Sequence, residues 1–73
     1  MSDSIYKVIE LIGSSPTSWE DAVKNVIETA SRTLTDLRVA EVKELDVKLD
    51  DKGIISAYRA KVRLSFKYAK ERD

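Results

Sequence analysis

The chain of 73 residues contains no cysteine and no histidine. Without cysteine there is no disulfide framework, no thiolate nucleophile and no cysteine-ligated zinc or iron–sulfur cluster. Without histidine the commonest general base and metal ligand is missing as well. Proline occurs once and glycine twice, so regular structure is interrupted at few places. Apolar runs are short, far below the ~20 residues that span a bilayer. Met1-Ser2-Asp3-Ser4 does not read as a secretory leader. An excess of one charge sign is also absent, since 13 Lys and Arg face 13 Asp and Glu. That balance gives no reason to expect nucleic acid or a membrane as partner. The expectation is a soluble, cytoplasmic protein with one domain, residues 1–73.

What is present falls into three regular pieces divided by Gly13-Ser14-Ser15-Pro16 and Asp50-Asp51-Lys52-Gly53. Ile5 to Ile12 is rich in β-branched residues, with Ile5, Ile9 and Leu11 on one side and Tyr6, Val8 and Ile12 on the other. It reads as a strand covered on both faces and broken at Gly13. Thr17-Ser18-Trp19-Glu20 then has the form of a capping box, a hydroxyl three residues ahead of a carboxylate. Trp19, Ala22, Val23, Val26, Ile27, Ala30, Leu34 and Leu37 follow at helical spacing and predict one long amphipathic helix. Trp19 reads as an apolar anchor of that helix.

The third piece, Arg38 to Asp50, alternates but changes phase. Ala40 and Val42 are even and Leu45, Val47 and Leu49 are odd, so a strict period of two cannot place all five on one face. A β-bulge near Lys43-Glu44 restores agreement. Asp50-Asp51-Lys52-Gly53 predicts a turn with Gly53 at positive φ. Beyond it Tyr58, Ala60, Val62, Leu64, Phe66 and Tyr68 alternate with Arg59, Lys61, Arg63 and Lys67, giving a strand with an apolar face and a basic face. The order is β-α-β-β, an α+β fold with a three-stranded antiparallel sheet wrapped around one helix. So short a chain buries only about 60% of its unfolded surface, and one helix cannot cover both faces of such a sheet. Self-association is expected.

Catalytic groups are sparse. Glu10, Glu41, Glu44 and Asp46 are candidate acids, but no phosphate loop or nucleophile elbow accompanies them, and an enzymatic role is not expected. Cross-strand pairing explains Glu41, which past the bulge should face Lys61 and Arg63. The stripe Arg59, Lys61, Arg63, Lys67 has no interleaved aromatic residue for stacking nucleobases. A small anionic ligand held by arginines remains open. Asp50-Asp51-Lys52-Gly53 lacks the EF-hand spacing. Asp46 and Asp50 are the weak metal candidates.

Several segments together resemble the dodecin family: Tyr6-Lys7-Val8-Ile9-Glu10-Leu11-Ile12-Gly13-Ser14-Ser15-Pro16, Ser18-Trp19-Glu20-Asp21-Ala22, Ala40-Glu41-Val42, and Tyr58-Arg59-Ala60-Lys61-Val62-Arg63-Leu64-Ser65-Phe66. The resemblance covers about residues 4–68. It implies a homododecamer, a hollow sphere of 23 symmetry that stores or sequesters riboflavin or FMN at two-fold contacts, with coenzyme A held by some members near three-fold contacts. In flavin-binding dodecins a Trp stacks on the flavin and a Gln on the last strand bonds its polar edge. Those positions hold Val39 and Arg59 here, with Glu41, Lys61 and Arg63 around them, so weakened flavin binding is expected. Ser15-Pro16-Thr17-Ser18-Trp19-Glu20 together with Arg38-Val39-Ala40 resembles a dodecin subgroup that binds calcium instead. A structural shell with a vestigial ligand site is the remaining alternative.

Overall fold

The computed structural model describes residues 5–69, with side chains to residue 67. The expectations for Met1–Ser4 and for the side chain of Tyr68 lie outside the described residues. Strand β1 (Ile5–Ser15), helix α1 (Trp19–Ser31), strand β2 (Leu37–Leu49) and strand β3 (Ile55–Ala69) follow in that order. The strands form one antiparallel sheet in the order β1-β3-β2, so the last strand is central and both others are edges.

Helix α1 begins one residue later than the capping-box reading. Ser18, not Thr17, is the cap: its backbone is extended (φ −167°, ψ 165°) and its Oγ accepts from the Asp21 amide at 3.0 Å. Thr17 instead donates its amide to Ser15 Oγ at 2.9 Å, and that hydroxyl donates to Asp21 Oδ2 at 2.7 Å. Buried Ser15 is thereby satisfied from both sides. Glu20 and Asp21 place negative charge at the positive end of the helix dipole.

The helix also ends earlier than the apolar spacing predicts. It stops at Ser31, where the amides of Thr33 and Leu34 both turn back to the Ala30 carbonyl. Asp36 then takes a left-handed conformation at φ 59°. Leu34 and Leu37 still pack on the core, Leu34 from the connection and Leu37 from the first residue of β2. They continue the apolar pattern without continuing the helix.

The core is Ala22, Val26 and Ala30 from α1 against Ala60, Val62 and Leu64 from β3. Small residues let the helix lie close. Gly13 pairs with Ala60 directly beneath it, and a Cβ on Gly13 would collide with Val26 Cγ2 and come within 2.8 Å of the Ala22 carbonyl oxygen. β1 therefore runs through Gly13 to Ser15 instead of breaking there. Its inward residues Ile9 and Leu11 face the helix side, while Tyr6, Val8 and Ile12 stand open on the outer side. The strand is covered on one face by its own chain, not on both.

The bulge and the turn match expectation. The β2 register shifts between Val42 and Glu44, skipping Lys43, and Gly53 sits at φ 78°. Asp50 Oδ1 accepts the amides of Lys52 and Ile54 at 2.8 and 2.9 Å, closing the turn as an Asx cap. β2 carries further register shifts at Leu37/Val39 and Lys48/Leu49 that alternation alone does not reveal.

Candidate ligand-binding face

The outer face of the sheet collects the polar halves of β2 and β3. β3 presents Arg59, Lys61 and Arg63 as alternate residues. β2 presents Val39 opposite Ser65, Glu41 opposite Arg63, Glu44 opposite Lys61 and Asp46 opposite Arg59. β1 contributes Glu10 beside Arg63 and Ile12 beside Lys61. The sequence-predicted residues Val39, Glu41, Arg59, Lys61 and Arg63 thus share one face, and Asp46 joins them. Asp50 does not, since it belongs to the hairpin turn.

Ion pairs lock this face. Arg59 grips Asp46 through two bonds, Nε to Oδ1 at 2.7 Å and Nη2 to Oδ2 at 2.9 Å. That bidentate hydrogen bond is the main cause holding the Asp46 carboxyl below its ordinary value, opposed by desolvation and aided by the charges of Arg59 and Lys61. The same bond raises Arg59. Lys61 meets Glu44 at 3.2 Å and Arg63 meets Glu10 at 3.3 Å. Glu41 does not pair with Lys61 or Arg63 as expected but with Lys43 of its own strand at 3.6 Å. The bulge is the reason: omitting Lys43 from the register brings Glu44 opposite Lys61, and Arg63 reaches across to β1. The phase change across Lys43 already puts Glu44, rather than Glu41, opposite Lys61.

Asp46 is tied a second time, through its backbone. Trp19 Nε1 donates to the Asp46 carbonyl oxygen at 2.9 Å, and the indole stands edge-on to Tyr58 with centroids 5.2 Å apart. Trp19 is thus an anchor with a polar handle, joining the start of α1 to β2. Sequence spacing alone contains no signal for that bond.

Val39 is 59% exposed. It borders an apolar hollow of about 240 Å³ at the β2 edge, shared with Ile27, Leu37, Arg38, Ala40 and Leu64. Arg38 at its rim pairs loosely with Asp36 at 3.8 Å. No ring stands at this position to stack on a flavin.

Calcium takes about six to eight oxygen ligands. Asp46 spends both carboxylate oxygens on Arg59, and Asp50 spends Oδ1 on the turn amides. No three acidic groups converge on one point among the described residues. The acidic donors suit a hard cation in kind, but the described residues of one chain do not form a complete cage. No helix among the described residues is long and apolar enough to cross a membrane.

Residues 5–69 match the dodecin family profile. A calcium dodecin from Mycobacterium tuberculosis is 48% identical over 64 residues, covering 88% of this chain and 89% of that protein. The crystal structure of the calcium-chelating antigen calcium dodecin from Mycobacterium tuberculosis superposes with TM-score 0.81 at 44% identity, covering 96% of this chain and 99% of that one. Dodecin from Streptomyces coelicolor superposes with TM-score 0.87 at 31% identity, covering 97% of this chain and all of that one. Sequence, strand order and helix placement agree across nearly the whole length, and the chain belongs to the dodecin family.

Proposed function

We propose that this dodecin is a non-enzymatic, cytoplasmic homododecamer of single-domain chains that binds or buffers calcium in preference to flavin, at sites completed by carboxylates from more than one copy. The observation that carries this reading is the chemistry at the two flavin-equivalent positions. Val39 offers no ring, and the Arg59 guanidinium is already held by both oxygens of Asp46. Loss of aromatic stacking removes about 1–3 kcal/mol per ring, about 5- to 150-fold in affinity. The likeness to calcium dodecin supports the cation. The need for several copies follows from the scattered donors, of which Glu41, Glu44 and Asp50 are exposed.

A weakened flavin site is the second reading, favoured by the apolar hollow beside Val39 and by Arg38 at its rim, a cation suited to an FMN phosphate. Thermal melting of chelator-stripped protein separates the two. Calcium is expected to raise the melting temperature and EDTA to reverse it, because a ligand that binds only the folded state stabilises it by mass action. Riboflavin, FMN and coenzyme A run in parallel are expected to shift it less. A melt indifferent to calcium and raised by riboflavin would replace the first reading with the second.

A further inference from the structure

Helix α1 grips both edges of the sheet at a single rung. Ser14 of β1, Arg59 of β3 and Asp46 of β2 lie side by side across the three strands. An edge strand leaves alternate carbonyls without a ladder partner, and at this rung two helix side chains supply the missing donors. Asn25 Nδ2 donates to the Ser14 carbonyl oxygen at 3.2 Å, and Trp19 Nε1 donates to the Asp46 carbonyl oxygen at 2.9 Å. The indole has a second hold on the same rung, since Tyr58, which it meets edge-on, directly precedes Arg59 in β3.

The rung also carries the tightest ion pair of the outer face. Arg59 takes both carboxylate oxygens of Asp46 at 2.7 and 2.9 Å. Asp46 thus makes two bonds in two directions, its carboxylate to Arg59 on the outer face and its carbonyl to Trp19 at the edge. Both groups hang on one stretch of backbone, with no strand beyond it to hold it in place. The pair is open to dissolved ions, with 43% of the Arg59 side chain and 52% of the Asp46 side chain exposed. An ion pair so exposed adds little stability. Its consequence is positional. On the helix side Trp19 lines a groove of about 360 Å³ with Val23, Val42 and Leu45, and the place of the indole sets the shape of that groove.

We propose that the Asp46–Arg59 pair positions Trp19, so that a divalent cation drawing the Asp46 carboxylate off Arg59 is felt at the indole and in the groove it lines. The positioning stands on the bonds of this rung alone, whereas its response to a cation rests on the calcium reading above. Arg59 is then a tethered competitor that calcium must displace from Asp46, and the start of α1 reports the exchange.

Trp19 is the chain's one tryptophan, so its emission reads the rung directly. Arg59→Gln is expected to shift that emission to the red. Lys43→Gln, which removes another ion pair from β2, the one with Glu41, is expected to leave it unchanged. Exchanging the partners, Asp46→Arg with Arg59→Asp, is expected to restore the original emission, because the acceptor is a backbone carbonyl that position 46 keeps whatever its side chain. Calcium added to chelator-stripped protein should produce the same red shift in a saturable way, and should add nothing in Asp46→Asn. Emission unmoved by Arg59→Gln, moved equally by Lys43→Gln, or not restored by the exchange overturns the positioning. Calcium heat by calorimetry with no change at Trp19 overturns the response to the cation and leaves calcium binding standing. No calcium heat, with emission still restored by the exchange, overturns the calcium reading and upholds the positioning.

Discussion

Leu64 and Arg63 are neighbours in β3, yet one is sealed beneath the helix at 1% exposure and the other stands open with a guanidinium 3.3 Å from Glu10. The same alternation runs along the strand. Ala60, Val62 and Leu64 form the core, and Arg59, Lys61 and Arg63 form the outer ladder. The two faces obey different physics. On the inner face shape decides, because close packing penalises any change of volume. On the outer face charge decides, and its half-exposed ion pairs contribute little to folding. The inner face can therefore hold the fold while the outer face is free to vary.

The largest effect expected is at the inner face. Leu64→Ala should lower unfolding free energy by about 2–5 kcal/mol, whereas Ser65→Ala, one position away on the outer face, should change it by less than about 0.5 kcal/mol. Urea midpoints of the two variants measure the contrast, and equal losses would erase it. Gly13→Ala comes next, at roughly 1–3 kcal/mol from overpacking against Val26 and the Ala22 carbonyl. Adding Val26→Ala removes the colliding methyl and should restore part of that loss.

The outer face should instead respond in binding. Val39→Trp supplies the missing ring and should raise riboflavin affinity about 5- to 150-fold, read as quenching of flavin fluorescence, with little change in the urea midpoint. An unchanged affinity would show that Val39 does not stand where the flavin ring lies. The smallest effect is in acid. Arg59 holds the Asp46 carboxyl below its ordinary 3.8, so the folded state takes up that proton less readily than the unfolded chain. The contribution is complete above the unfolded value and disappears as pH falls through the lower, folded one. Wild type should exceed Asp46→Asn in stability by a constant margin above that ordinary 3.8, and the two should converge below it. A margin that grows in acid would reverse the sign.

Much of this was readable from residue order. The phase change across Lys43 marked the bulge, because a period of two admits no other repair, and Gly53 marked the turn. The family was readable from contiguous segments at both ends of the chain. The helix boundaries were not. Thr17-x-x-Glu20 and Ser18-x-x-Asp21 fit the same capping pattern, and only backbone geometry chooses Ser18. Leu34 and Leu37 keep helical spacing after the helix has ended, because residues in a connection can still point at the core. The ion pairs were the least legible. Which acid meets Lys61 depends on the register, and the register depends on a bulge whose extra residue, Lys43, pairs within its own strand.

Direct calcium binding by titration calorimetry on chelator-stripped protein, with the same preparation titrated with riboflavin, tests the central claim. The account predicts saturable calcium heat at a fixed ratio of ions to chains and no comparable riboflavin signal. Stoichiometric riboflavin binding with no calcium heat would contradict it.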